Sequence, residues 1–146
     1  MKRDFSQINI ANYKHSTPIQ IRFVDIDKMG HVNNATILSY FEIARTNFFD
    51  DVIGQQDNWF ERGLIIANTN IDYLQPVYLR DDVKALVRIA KVGTKSFDVE
   101  HVLVRTLNGK ETICAIANSI LVCMDYSKNI TIEVPTEWKE KIKTFS

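Results

Sequence analysis

"DIDKMGHVNNATILSYFEIAR", Asp25 to Arg45, brings two unlike textures together at one point. Asp25 to Asn34 holds two carboxylates, a glycine, a histidine and two asparagines. An apolar helical pattern follows at once: Ile37, Leu38, Tyr40, Phe41, Ile43, Ala44, Phe48, Phe49 and Val52, at spacings dominated by three and four. The stripe is too wide for one face, which predicts a helix buried over most of its circumference. The helix should begin near Asn33 or Asn34, because an asparagine side chain there accepts from one of the unpaired N–H groups of the first turn.

The flanks read as strands. On the N-terminal side "TPIQIRFVD" (Thr17 to Asp25) alternates Ile19, Ile21 and Phe23 with Gln20 and Arg22, the pattern of a half-buried strand. On the other side, Gly54 to Arg62 reads as a connection anchored by Trp59 and Phe60. After Gly63 come "LIIANTNIDYL", "DVKALVRIAKV" and "KSFDVEHVLVRTL", and the last ends at Asn108-Gly109, a tight-hairpin signal because both positions favour positive φ. "KETICAIANSILVCMDY" is apolar on both faces and predicts a central strand. Its Ile113, Ala115, Ala117 and Ser119 are mostly small and would let a helix approach. "VPTEWKEKIK" predicts a closing helix with Thr136 as cap, Glu137 in the first turn, and Lys141 and Lys143 in the last, an order that suits the helix dipole. The architecture is α+β: an antiparallel sheet of five or six strands curled around one long helix, in a single domain over residues 1–146. One helix cannot cover both faces of a sheet, so the second face of the long apolar strand calls for a partner subunit.

Composition narrows the function. The 146 residues are 45% hydrophobic and 25% charged, which suits a packed core. Eighteen basic residues balance 18 acidic ones, which argues against a nucleic-acid binder. No apolar run approaches the roughly 18 residues of a membrane span, and "MKRDFSQINIANYKH" has no apolar core behind its basic residues, so no secretory signal is expected. Cys114 and Cys123 stand at odd separation in one strand pattern, on opposite faces, and are expected to be free thiols in a cytoplasmic protein. Neither cysteine lies in a metal-binding cluster.

The polar cluster carries the chemistry. A helix N-terminus exposes unpaired N–H groups and a partial positive charge, and can receive an oxyanion formed by attack on a carbonyl. A carboxylate beside it can act as general base or nucleophile. Asp25 or Asp27 with backbone N–H groups around Asn33 and Asn34 supplies both parts, and Gly30 permits the tight turn between them. The plain alternative is a cap and loop of ordinary Asp and Asn residues. No GxSxG, P-loop or GxGxxG motif is present.

"FVDIDKMGHVNNATILSYFEIART" resembles the signature of the 4-hydroxybenzoyl-CoA thioesterase-like branch of the hotdog-fold acyl-CoA thioesterases. "IIANTNIDYLQPVYLRDDVKALVRIAKVGTKSFDVEHVLV" and "AIANSILVCMDYSKNITIEVPTEWKEKI" resemble the later strands and tail of that family, so the likeness runs from Ile19 to Ile142. The resemblance implies a hotdog fold and hydrolysis of an acyl-CoA, with CoA as part of the substrate and no separate cofactor or metal. It implies that Asp27 is the catalytic carboxylate, that the N–H of Asn34 polarises the thioester carbonyl, and that Gly30 is the loop glycine. His31 is in register with the histidine of a "DxNxHVNN" pattern in related acyl-carrier-protein thioesterases, either structural or assisting; Met29 stands where that pattern has asparagine. Lys95 falls where some relatives bring a basic residue to the CoA phosphates, although a solvated turn lysine explains it equally. Glu42 and Arg45 match a "FExAR" helix pattern, as a buried charged pair or as a group near substrate. The working unit implied is a homodimer or homotetramer with sites between subunits. The alternatives are hydrolysis on an acyl carrier protein and acyl-CoA binding without turnover.

Overall fold

The computed structural model describes residues 5–54 and 58–146. Part of the connection read at Gly54 to Arg62, and the first residues of the N-terminal segment, lie outside them. After a 3-10 turn at Ile10–Asn12, the elements are β1 (His15–Ile19), a 3-10 turn (Phe23–Asp25), α1 (Asn34–Val52), β2 (Gly63–Tyr73), β3 (Asp82–Val92), β4 (Ser96–Leu107), β5 (Lys110–Asp125), β6 (Ile130–Thr131) and α2 (Thr136–Phe145). The sheet runs β1-β3-β4-β5-β2 with β6 on β5, and every pairing is antiparallel. This is the α+β arrangement expected: a curled antiparallel sheet against one long helix.

Local chemistry accounts for most boundaries. Asn33 caps α1, its side chain accepting from Ala35 N–H at 2.8 Å. The β4–β5 hairpin turns on Asn108 (φ 52°) and Gly109 (φ 75°), as the dipeptide requires. The strand expected over Thr17 to Asp25 is corrected: β1 covers His15–Ile19, and Phe23 is 84% exposed in a 3-10 turn. The reason is non-local. β1 pairs with β3 as far as Ile19↔Val83, β3 begins one residue earlier at Asp82, and beyond that there is no strand to follow. Pro18 sits in β1 because β1 is an edge. At the other end of the chain, Pro135 rather than Thr136 is the N-cap of α2, and no side chain caps it.

Three β-bulges bend the sheet, at Ala67 in β2, Ala90 in β3 and Cys114 in β5, where the pairing registers shift. The Cys114 bulge changes the phase of β5. Cys114 and Cys123, expected on opposite faces, therefore join the same core; both are free and buried.

The core lies between α1 and the concave face. Ile37, Tyr40, Phe41, Ala44, Phe48 and Phe49 of α1 are buried, a single stripe, while Leu38 and Ile43 are 42% and 51% exposed. Burial over most of the circumference is thus not reached within one chain. α1 lies nearest β1, β3 and β4 rather than the small-residue face of β5. Its aromatic side chains span the gap to β4, where Phe49 meets Phe97 and Phe41 meets the wholly buried His101. Burial first, and then the nearby Arg45 charge, push the His101 pKa down to about 3, so it is neutral in the core. The convex face was expected to need a partner. Part of it is covered by the chain's own N-terminal segment instead: Ile8, Ile10 and Tyr13 pack on Leu86, Val102 and Val104. The Tyr13 hydroxyl donates to Glu100 at 2.8 Å, and Arg88 pairs with the same carboxylate.

α2 closes one end of the core. Trp138 is 1% exposed, stacks on Phe97 and tilts against Trp59, and Lys141 Nζ donates to the Ile53 carbonyl at the C-terminus of α1 (2.8 Å). Trp138→Ala should destabilise the fold by about 3–5 kcal/mol through lost burial and an unfilled cavity. Urea unfolding checks this; a loss below about 1 kcal/mol would mean that α2 is peripheral to the core.

Candidate active site

Two features converge at the N-terminus of α1. The chain from Ile26 to Val32 is a short finger closed by an antiparallel bridge between those two residues. Within it Asp27 N–H donates to His31 O (2.8 Å) and Gly30 N–H to Asp27 O (3.0 Å). Gly30 has φ +83°, a conformation that side chains with a Cβ rarely adopt, so the turn selects glycine by backbone geometry. Asp27 Oδ1 accepts from the N–H groups of Met29 (2.9 Å) and His31 (3.3 Å). Among the described residues, Oδ2 has no hydrogen-bond partner.

The helix contributes a donor. The Asn33 side chain occupies Ala35 N–H, and Asn33 O accepts from Thr36 and Ile37, whereas Asn34 N–H has no acceptor among the described residues. Asp27, His31 and Asn34 line one cleft of about 570 Å³, closed opposite by Tyr73 and the segment to Val77. That wall is tied to the helix start: the Tyr73 hydroxyl donates to Asn34 O at 3.0 Å, Val32 N–H donates to Val77 O at 2.7 Å, and Tyr78 meets the His31 ring edge-on at 5.1 Å. A half-buried carboxylate and an unpaired helix N–H facing one cleft can respectively take a proton or attack, and receive negative charge.

The other residues singled out from the sequence lie apart. Lys95 is an exposed residue of the β3–β4 turn, its Nζ 3.5 Å from Thr131 Oγ1. The Asp27 finger follows β1, which ends opposite Val83 at the other end of β3 from the Lys95 turn. Glu42 is exposed and Arg45 half-buried, so they are not a buried pair. Both line a second cleft of about 580 Å³ between α1 and β2, with Ile65, Ile66 and Tyr126. Among the described residues, no three His, Cys, Asp or Glu side chains gather as for a metal.

Periodicity hid one polar residue. Tyr40 counts as apolar in the helix stripe, yet a buried tyrosine hydroxyl needs a partner. Its partner is Asp25, 2% exposed, whose Oδ2 accepts from Tyr40 at 2.6 Å and from Arg22 N–H at 3.0 Å, while Oδ1 accepts from the Arg22 guanidinium at 3.0 Å. Burial pushes the Asp25 pKa up, but the hydrogen bonds from Tyr40 and Arg22 outweigh it and hold the carboxyl below its ordinary value. Burial first, and then the same contact, raise the pKa of the Tyr40 hydroxyl.

With this site in view, the comparisons give the family. A model of the thioesterase-like superfamily matches residues 21–142, and the chain belongs to that superfamily. At the level of the family it is a thioester hydrolase of the acyl-CoA thioesterase class. It is 27% identical over 130 residues to the long-chain acyl-CoA thioesterase FadM of Escherichia coli, covering 87% of this chain and 96% of that one. A thioesterase of Thermus thermophilus, solved with coenzyme A and Zn, is 31% identical with a TM-score of 0.78, over 91% of this chain and 94% of that one. A mutant 4-hydroxybenzoyl-CoA thioesterase in complex with 4-hydroxybenzoyl-CoA is 21% identical and shares the fold, with a TM-score of 0.79 over 87% and 96% of the two chains.

The lowered Asp25 pKa sets a pH dependence. A depressed carboxylate contributes stability that is present above the unfolded-state pKa of about 3.9 and is lost as pH falls through the lower folded value. The stability gap between wild type and Asp25→Asn should therefore be widest near neutral pH and narrow below about pH 4. Urea midpoints across that range test it; a gap constant with pH would show that Asp25 is not held as the anion.

Proposed function

We propose that the chain hydrolyses the thioester of an acyl-CoA to the free acid and CoA, with Asp27 as general base or nucleophile and Asn34 N–H as the oxyanion donor. The observation that carries this is the shared cleft: a carboxylate on a closed finger and the residue with the unpaired first-turn N–H of the helix both line it. As base, Asp27 takes a proton from water while the water oxygen bonds to the carbonyl carbon. The oxyanion rests at Asn34 N–H, then collapses with cleavage of the C–S bond, and the CoA sulfur leaves with a proton. As nucleophile, an Asp27 oxygen bonds to the carbonyl carbon, the C–S bond breaks and the CoA thiolate leaves to take up a proton; water then hydrolyses the mixed anhydride, releasing the acid and restoring the Asp27 carboxylate. One such donor is typically worth about 10²–10³ in rate.

In this reading His31, held by Tyr78, orients the finger or assists proton transfer, and Gly30 sets the turn against the substrate. CoA enters as part of the substrate, and the chemistry calls for no cofactor or metal. The similarity to FadM and to the CoA-bound Thermus enzyme supports acyl-CoA as the substrate class. Met29, in place of the asparagine of the carrier-protein pattern, favours acyl-CoA over an acyl carrier protein.

The proposed working unit is a homodimer or a homotetramer. β2 is an 11-residue edge strand with Ile65 and Ile66 exposed, and α1 leaves Leu38 and Ile43 open beside it. A second copy there covers an edge that a single chain leaves unpaired, and Lys95 would then reach CoA phosphates only in the other subunit's site. The proposed compartment is the cytoplasm; no helix among the described residues is long and apolar enough to cross a membrane.

Thiol release from a panel of short, long and aromatic acyl-CoAs tests the reading. Wild type should turn over at least one of them, and Asp27→Asn should lower that rate by about 10² or more with fold and assembly intact. Near-normal turnover by Asp27→Asn would remove Asp27 from the chemistry. Binding without turnover by the wild type would make the chain an acyl-CoA-binding protein.

A further inference from the structure

The site contains a carboxylate that the proposed chemistry does not use. Asp25 stands at the base of the finger that carries Asp27. Its backbone carbonyl accepts from Asn33 N–H (2.8 Å), and the next rungs are the Ile26–Val32 bridge and the Asp27–His31 hydrogen bond. Its side chain is fixed from the other direction by Tyr40, six residues into α1 from Asn34, roughly 9 Å along the helix axis. One rigid helix therefore both presents the Asn34 N–H and grips, through Tyr40, the root of the finger.

We propose that Tyr40 is a positioning residue: its hydroxyl, acting through Asp25, sets the distance between the Asp27 carboxylate and the Asn34 N–H. The inference rests on the acyl-CoA hydrolase reading above. Three observations carry it. Tyr40 is 3% exposed and does not line the cleft, so it acts through Asp25 and not on substrate. Of the two side chains that meet the Asp25 carboxylate, the Arg22 guanidinium is 67% exposed and its ion pair is screened by solvent, which leaves the buried 2.6 Å hydrogen bond as the firm one. And the finger keeps its own backbone hydrogen bonds, so loss of the latch leaves its fold and the helix start intact and removes only the side-chain tie that sets how the finger leans on α1. Misplacement of that kind costs rate more than affinity.

The test is steady-state kinetics on an acyl-CoA that the wild type turns over, with Tyr40→Phe, Asp25→Asn, the double variant and Asp27→Asn, each with a thermal melt. Tyr40→Phe should fold, keep KM within about twofold and lose kcat by about tenfold or more. The double variant should be no slower than the slower single variant, because the hydroxyl and the carboxylate act as one unit. Wild-type kcat in Tyr40→Phe, or losses that multiply in the double variant, overturn the proposal. Should Tyr40→Phe fail to fold, Asp25→Asn carries the same split between kcat and KM, and wild-type kcat there overturns it equally. Asp27→Asn separates the two levels. Full turnover in that variant removes Asp27 from the chemistry, no turnover by wild type overturns the hydrolase reading, and either result takes this inference with it. Loss in Asp27→Asn with none in Tyr40→Phe overturns the latch alone.

Discussion

The packing of α1 on the bent sheet holds everything else in place. The helix buries one stripe, from Ile37 to Phe49, against strands whose facing side chains include Ala85, Val87, Val99 and Leu103, all 0% exposed. Bulges at Ala67, Ala90 and Cys114 give the sheet the curvature to wrap that stripe. A buried helix cannot shift along its axis without unseating its side chains, so its first turn is fixed relative to the strands. Reactive geometry can be built at that turn because the N–H groups there are unpaired by the nature of a helix and immobile by the packing behind them.

Much of this was legible because it is local. The positions of α1 and of the strands followed from spacing, Asn33 from cap chemistry, and the β4–β5 turn from Asn108-Gly109. The misses share a cause, since each depends on something distant in sequence. β1 stops at Ile19 because β3 runs out. Cys114 joins Cys123 in one core because a bulge in β5 shifts the phase that a strict alternation assumes. Part of the convex face is covered by Ile8, Ile10 and Tyr13, a segment with no periodic pattern to mark it. The exposed Leu38 and Ile43 show the converse: an apolar pattern records what a residue is built to meet, and in a single chain that surface is open.

The site divides in the same way. Asp27, Gly30, His31 and Asn34 fall within eight residues, and any fold that caps a helix there brings them together. Tyr73, Val77 and Tyr78 come from the end of β2 and beyond it, and only the fold sets them opposite the helix start. Tyr40 was hidden differently. It sits at an apolar position of an apolar stripe, and only its hydroxyl betrays a polar task. In a helix destined for burial, a tyrosine at such a position is a donor awaiting an acceptor, and the nearest carboxylates in the chain before it are those of the polar cluster itself.

The two aspartates then take different parts although only Ile26 separates them. Asp25 is buried and its oxygens accept from Tyr40, an N–H and a guanidinium. To take up a proton it would have to give up donors that already point at it, so it is a poor base and a good anchor. Asp27 is half-buried; one oxygen is steadied by the finger's own N–H groups, and the carboxylate faces the cleft. Asp25 ends the 3-10 turn at the root of the finger, where the structure encloses it, while Asp27 stands beyond it and lines the cleft. Burial, not residue type, separates the anchor from the carboxylate proposed to react. The polar cluster at the mouth of the helix thus holds a structural tie at its root and, farther out, the carboxylate on which the proposed chemistry rests.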